Sequence, residues 1–288
     1  MTRPIQLARF RDENSDILVG SLRDDQVLIL AVAGSGQRLS DLLEAEDPVG
    51  TVERLEQAAT SRPVAGLEWL PPVDEQEIWA AGVTYTRSKS ARMEESETAA
   101  SCYDRVYVSP RPELFLKATP HRVVGQEGPI RIRQDATWNV PEPELTLVLN
   151  SRMELVGFTV GNDVSSRDIE GDNPLYLPQA KVYDQSCALG PAIVLAGSVE
   201  GANRWPIELS IERQGSVVFT GATNVDQMAR SFDELIGWLG RDMSFPGGAM
   251  LMTGTGIVPD SDFTLEPGDR VSITIGCLGT LTNTVVCG

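Results

Sequence analysis

Glu142 and Glu144 stand two residues apart, directly ahead of the apolar run 145–149, LTLVL. In an extended strand residues i and i+2 face the same way, so the two carboxylates aim at one spot. A second apolar run, 155–160, leads to Asp163. A strand there, laid beside the first, brings a third carboxylate alongside. Converging carboxylates repel one another and are costly to desolvate. A hard divalent cation relieves both penalties, and Mg²⁺ takes carboxylate, water and substrate oxygens at about 2.0–2.1 Å. The spacing alone is more often that of a solvated strand edge, which Pro141 and Pro143 would fit. The choice between the two depends on the rest of the stretch, down to Pro191.

Composition limits what can surround such a site. At 288 residues with 41% hydrophobic content, the chain can bury a core in one large domain, or in a large and a small one. Net charge is −17 and no basic run occurs, which argues against nucleic acid or an anionic membrane as partner. A small anionic substrate remains compatible, because local charge in the site decides that. The first residues lack a long apolar region, and no run approaches the roughly 18 apolar residues of a membrane span. The expectation is a soluble, cytoplasmic protein. Cys102, Cys187, Cys277 and Cys287 show no CxxC spacing, so zinc and redox motifs lack support and a reducing compartment is expected. Of 24 basic residues the lysines are Lys89, Lys117 and Lys181. Arginine serves nearly everywhere else, so each lysine is a candidate for a compact point charge that a planar fork cannot replace.

The elements that must position these groups fall into two parts. Residues 1–70 read as a small α+β domain. A hairpin lies in ILVGSLRDDQVLILAV, and short helices in LSDLLEAE, with Ser40 and Asp41 as available caps, and in VERLEQAA. Pro71-Pro72 marks the boundary, and 71–288 form the second domain. There, 78–85 read as a strand ending in a loop, and 86–105 as a polar, acidic lid. Strand-like runs follow at 192–196, 207–212 and 217–219, with a turn at Gln214-Gly215. A helix is expected over 225–239, with Asn224 as N-cap and Gly240 as stop. Met252-Thr253-Gly254-Thr255-Gly256 follows a strand and can present backbone amides and the Thr255 hydroxyl to an anion. The last strand pair, 270–275 and 281–286, closes the sheet.

Taken together these segments resemble the fumarylacetoacetate hydrolase family. The resemblance rests on PEPEL, on Asn162-Asp163-Val164-Ser165-Ser166-Arg167-Asp168, on Lys181-Val182-Tyr183-Asp184 and on Leu189-Gly190-Pro191. It continues through residues 252–256, Pro267-Gly268-Asp269 and Gly279-Thr280-Leu281-Thr282-Asn283, and covers about 72 to 288. The segments "GVTY…RMEES", "YDRVY…RPELFLKA" and "DIEGDNPLYLPQAKVYDQSCALGP" are similar to those of members that dehydrate 2-keto-3-deoxy sugar acids.

The resemblance implies a β-rich α+β fold, with a coiled β-roll C-terminal domain beside the small N-terminal one. It implies Mg²⁺, with Mn²⁺ or Ca²⁺ as alternatives, on Glu142, Glu144 and Asp163. Lys181 would neutralise charge on the substrate oxygens or take the C3 proton. Glu113, ahead of the Phe-x-Lys strand, is a candidate general acid or base, although a glutamate after proline also suits a plain surface. Tyr85, Ser88, Arg167 and Thr255 would bind a small 2-oxo acid, and the family implies a homodimer or homotetramer. One departure matters. The family usually reads G-x-N-Y-x-x-H where this chain reads Gly82-Val83-Thr84-Tyr85-Thr86-Arg87-Ser88. Serine is not a base at neutral pH, so a histidine-activated water is not available there. Dehydration of a five-carbon 2-keto-3-deoxy acid to a 2-oxo acid with a terminal aldehyde needs no such water and is the expected activity. The alternatives are C–C hydrolysis or decarboxylation of an acylpyruvate-like diketo acid, with Glu94, Glu95 or Glu113 as base, and a catalytically silent binding member of the family.

Overall fold

The two apolar runs form adjacent antiparallel strands, Pro143–Leu149 and Leu155–Asp163, with Glu144 opposite Gly161 and Pro143 opposite Asn162. They lie at the middle of the large sheet in a computed structural model that describes residues 3–32, 38–85 and 105–288. That sheet has 12 strands. Its main path from one edge is Thr60–Pro63, Gln26–Val32, Ile17–Arg23, Gln6–Arg11, Cys187–Leu195, Leu155–Asp163, Pro143–Leu149, Ala249–Met252, Glu77–Gly82 and Glu113–Ala118, with Glu68–Leu70 added beside Gln6–Arg11 and Val123–Val124 beside Cys187–Leu195. A second sheet of 5 strands runs Ser216–Asn224, Pro206–Arg213, Arg270–Ile275, Thr280–Cys287 and Pro129–Ile132.

Side-chain alternation explains why the central strands read as unbroken apolar runs. Leu145, Leu147 and Leu149 face one way, into a core shared with Ile207, Leu209, Ile211, Val271 and Ile273 of the second sheet. Val148 faces the other way, toward Leu39, Leu42 and Val52 of the N-terminal helices. Both faces of the large sheet are therefore covered, and every residue of Pro143–Leu149 is buried. By the same alternation Glu144 shares the side of Thr146 and Val148.

The N-terminal hairpin forms as read, with Ile17–Arg23 paired to Gln26–Val32. Gln6–Arg11 also pairs with Cys187–Leu195, so hydrogen bonding continues from the N-terminal hairpin into the strands that carry the carboxylates. The turn at Gln214-Gly215 has both residues at positive φ, 53° and 79°, the conformation that a two-residue hairpin turn requires.

Several boundaries differ from the sequence reading, each because a distant partner outweighs a local preference. The helix expected over 225–239 is a 3₁₀ turn at Val225–Gln227 and then an α-helix at Phe232–Leu239. Between them Ala229 donates to Thr84 O at 2.8 Å, and Met228 forms a bridge to Tyr85. Those pairings hold the backbone out of helix, and Ser231, not Asn224, accepts from the helix amide of Glu234. Gly240 ends the helix as expected. In the first helix, Leu39–Leu43, the cap position is Arg38, whose amide donates to Asp41. Ser40 does not cap it; its amide donates to Asp74 instead. The second helix, Pro48–Glu56, begins earlier than VERLEQAA, because Asp47 caps it through the amide of Gly50. The strand read as 192–196 begins at Cys187 and passes through Pro191. The ladder between Leu155–Asp163 and Cys187–Leu195 shifts register between Phe158 and Val160, the kind of irregularity at which a sheet tolerates proline. The last strand pair belongs to the second sheet, apart from the sheet that carries the carboxylates.

Candidate active site

The strand pairing delivers the geometry that the residue spacing implied. Asp163 N–H donates to Glu142 O at 3.0 Å, and Glu142 N–H to the Asn162 side chain at 3.2 Å, so the two strand ends are locked together. Glu142, Glu144 and Asp163 are all buried, each with a carboxylate oxygen within 4.8 Å of the others. The donor set is three hard oxygens, which suits a hard divalent cation. Burial holds Glu144 well above the ordinary carboxylate range, reinforced by the charges of Asp163 and Glu142 and opposed by Lys181 and the Gly254 amide. Three close carboxylates out of water ask for positive charge.

Part of that charge comes from the protein. Arg167 follows directly on the strand Ser165–Ser166, and its Nη2 lies 2.7 Å from Glu142 Oε1. Lys181 ends the short helix Leu177–Lys181. Its Nζ donates to Glu142 Oε2 at 2.7 Å, to Asp163 Oδ2 at 3.3 Å and to Ser165 Oγ at 2.5 Å. Lys117 Nζ lies 2.6 Å from Asp163 Oδ1. All three cations are buried. Gly254 N–H donates to Glu144 Oε2 at 2.7 Å. Phe115 lies with its ring centroid 5.8 Å from Lys181 Nζ, an apolar neighbour that helps keep water from the ammonium. The three carboxylates, Lys181, Arg167 and Thr255 line one tight cavity.

The other expected site residues are placed as follows. The Thr255 hydroxyl donates to Ile257 O at 3.1 Å, and the Gly254 amide is committed to Glu144. The anion that this amide of the loop holds is thus a protein carboxylate, in place of the free anion that the loop suggested. Tyr85 is buried with its ring against the TGTG loop: a Cβ on Gly256 would stand 2.7 Å from Tyr85 Cδ1. Burial and the charge of Glu144 hold its phenol above the usual range. Glu113 is half-buried and its carboxyl lies over Gly82, where a Cβ would meet Glu113 Oε2 at 1.9 Å. Gly82 itself lines the cavity. Ser88, Glu94, Glu95 and residues 86–104 of the expected lid lie outside the described residues.

Two participants carried no assigned role in the sequence reading, Lys117 and Ser165. The signals were there: the Phe-x-Lys strand for the first, the serine two places after Asp163 for the second. The only histidine, His121, is exposed, with Nδ1 3.1 Å from Thr119 Oγ1. Cys187 is buried, which pushes its thiol up to about 12, so it supplies no thiolate nucleophile at neutral pH.

Comparison with known proteins agrees with this geometry. The fumarylacetoacetate (FAA) hydrolase C-terminal family matches residues 77–286. A probable 2-keto-3-deoxyxylonate dehydratase of Haloferax volcanii is 52% identical over 214 residues, 74% of this chain and 73% of that protein. A 2-dehydro-3-deoxy-D-arabinonate dehydratase of Saccharolobus solfataricus is 43% identical over 213 residues, 73% of this chain and 72% of that protein. A solved 2-keto-3-deoxy-D-arabinonate dehydratase, complexed with magnesium and 2,5-dioxopentanoate, superposes with a TM-score of 0.82 at 32% identity, covering 98% of this chain and 99% of that one.

Proposed function

The chain belongs to the fumarylacetoacetate hydrolase family, and from that premise we propose that it is a magnesium-dependent dehydratase converting a 2-keto-3-deoxy-pentonate to 2,5-dioxopentanoate. One observation carries the choice of elimination over hydrolysis: the cavity joins three carboxylates to buried lysine and arginine, while the chain's single histidine is exposed and bonded to Thr119. Elimination needs a group for the C3 proton and an acid for the C4 hydroxyl. Hydrolysis needs an activated water. The relatives that are dehydratases by name support the same choice.

Glu142, Glu144 and Asp163 are assigned to the cation, which when bound supplies Lewis-acid polarisation of the 2-oxo group. Arg167 keeps the Glu142 carboxylate oriented. Lys181 is assigned the C3 proton, its nitrogen held in place by Glu142, Asp163 and Ser165. Glu113 is assigned the proton that lets the C4 hydroxyl leave as water. The C3=C4 alkene that results loses a proton at C5 and gains one at C3, and the C4=C5 enol then becomes the aldehyde. Tyr85, Ser88, Arg167 and Thr255 are assigned to substrate binding in this reading. Mn²⁺ is the nearest substitute cation, by its similar preference for oxygen donors. The same reading makes the protein a cytoplasmic homodimer or homotetramer with a small N-terminal domain over 1–70. No helix among the described residues is long and apolar enough to cross a membrane.

The test is a product assay. Metal-loaded protein is given D- and L-2-keto-3-deoxy-pentonate, with acylpyruvate in parallel. Aldehyde that forms only with metal is the expected result, and the epimer that reacts gives the stereochemistry. Pyruvate from acylpyruvate with no aldehyde from either pentonate overturns the proposal.

A further inference from the structure

Lys117 has no part in the proton transfers above, yet it is fully buried against the centre of the site. It arrives on the edge strand Glu113–Ala118, a different element from those that carry the carboxylates and Lys181. Besides its ion pair with Asp163 Oδ1 at 2.6 Å, its Nζ donates to Val164 O at 3.0 Å and to Lys181 O at 2.5 Å. Ser186 Oγ stands 3.4 Å away, and that hydroxyl itself donates to Lys181 O at 2.8 Å. One ammonium therefore ties the end of Leu155–Asp163 to the last residue of Leu177–Lys181.

The geometry points to Lys117 as a positioning residue that holds Asp163 and Lys181 in register for catalysis, an inference that rests on the dehydratase reading. Lys181 is fixed at both ends: its carbonyl by Lys117 and Ser186, its nitrogen by Glu142, Asp163 and Ser165. A helix of 5 residues makes few bonds of its own, so the outside grip decides where the Lys181 side chain starts. Asp163 is gripped too: Lys117 takes Oδ1 and Lys181 faces Oδ2, which fixes the carboxylate's rotation. The oxygens surround a single point, as a compact ammonium allows and a planar guanidinium does not. That accounts for a lysine here in a chain that otherwise relies on arginine. The ring of Tyr183, a half-buried residue, lies with its centroid 6.0 Å from Lys117 Nζ.

The experiment compares wild type with Lys117→Met, which keeps the stem and removes the ammonium, and Lys117→Arg, which keeps the charge but not its shape. Three readouts are taken: steady-state kcat and KM on the reactive pentonate, thermal melting, and titration of the metal-free protein with Mn²⁺ followed by electron paramagnetic resonance. A positioning role predicts that both variants fold and still bind one Mn²⁺. It predicts kcat lower by about 10- to 100-fold, as for other residues that orient metal ligands, with KM little changed. Wild-type kcat in either variant overturns the inference, as does a purely structural signature of lowered melting with kcat intact. If neither variant folds, Ser186→Ala decides, because it removes one donor to the Lys181 carbonyl and leaves the ion pair. A lowered kcat at unchanged melting supports the inference, and an unchanged kcat rejects it. A wild type that dehydrates neither epimer would sink the dehydratase reading itself. The two failures are distinct: an inactive wild type refutes the dehydratase reading, whereas an active wild type whose variants keep its kcat refutes the positioning role alone.

Discussion

Two buried acidic clusters in this molecule are built in opposite ways. Around Asp269 the accounts close: Arg213 grips both carboxylate oxygens at 2.7 and 2.8 Å, the Glu266 amide adds a bond at 2.9 Å, and Asp269 is fully buried. Like charge is not crowded against it there. Glu266 meets the same arginine at the surface. Around Glu144 the balance runs the other way. The Gly254 amide donates to it at 2.7 Å, Asp163 and Glu142 stand beside it, and its carboxyl is pushed up by burial and by their charge. A saturated buried charge is a fastener. A crowded one either keeps a proton or asks for a cation in its place.

That contrast can be broken, starting with the largest effect. Glu144→Gln removes a carboxylate from the crowded cluster. Turnover should fall by at least about a thousandfold, the scale of several kcal/mol of lost charge stabilisation. Calorimetric Mg²⁺ binding should be lost with it, while the metal-free protein melts no lower than wild type, since repulsion has been relieved. A lower melting temperature for metal-free Glu144→Gln would refute the crowding argument. Chelation of wild type should likewise stop turnover, with recovery on adding Mg²⁺. At a concentration of 100 Kd the ion should add about 2.7 kcal/mol of stability, which thermal melts with and without chelator would show.

Asp269→Ala should do the reverse. It leaves Arg213 without its partner, and urea denaturation should show a loss of roughly 3 kcal/mol. That is the low end for a broken buried pair, because Arg213 keeps some access to water. Mg²⁺ affinity of the folded fraction should stay at the wild-type value; a change would mean that the second sheet also sets the site. The smallest effect belongs to Ser231→Ala, which removes the cap of Phe232–Leu239. About 1 kcal/mol of stability should go, visible in the same urea titration, with kcat unaltered.

Much of this was legible in the residues. The two-residue period of Glu142 and Glu144 and the apolar runs beside them follow from the pleat of a strand, a property of near neighbours. So does the Gln214-Gly215 turn, whose residue types tolerate positive φ. The motif order in 142–191 pointed to the family and to the lysine at its centre. What was misread shares one cause. Asn224 looked like a cap and 225–239 like one helix until Thr84 and Tyr85 claimed residues 228 and 229. The Gly254 amide looked free to hold a substrate anion until it met Glu144.

By itself, then, the sequence determined which side chains could converge, since strand period and turn chemistry act over a few residues. Tertiary structure alone decided who answers whose charge. Lys181 reaches Glu142 across 39 positions, Lys117 reaches Val164 across 47, and the Gly254 amide reaches Glu144 across 110. Nothing in local propensity encodes such distances. They are set when two covered faces of one sheet bury their apolar residues, and the polar groups carried along must find partners or remain, as around Glu144, in want of a cation.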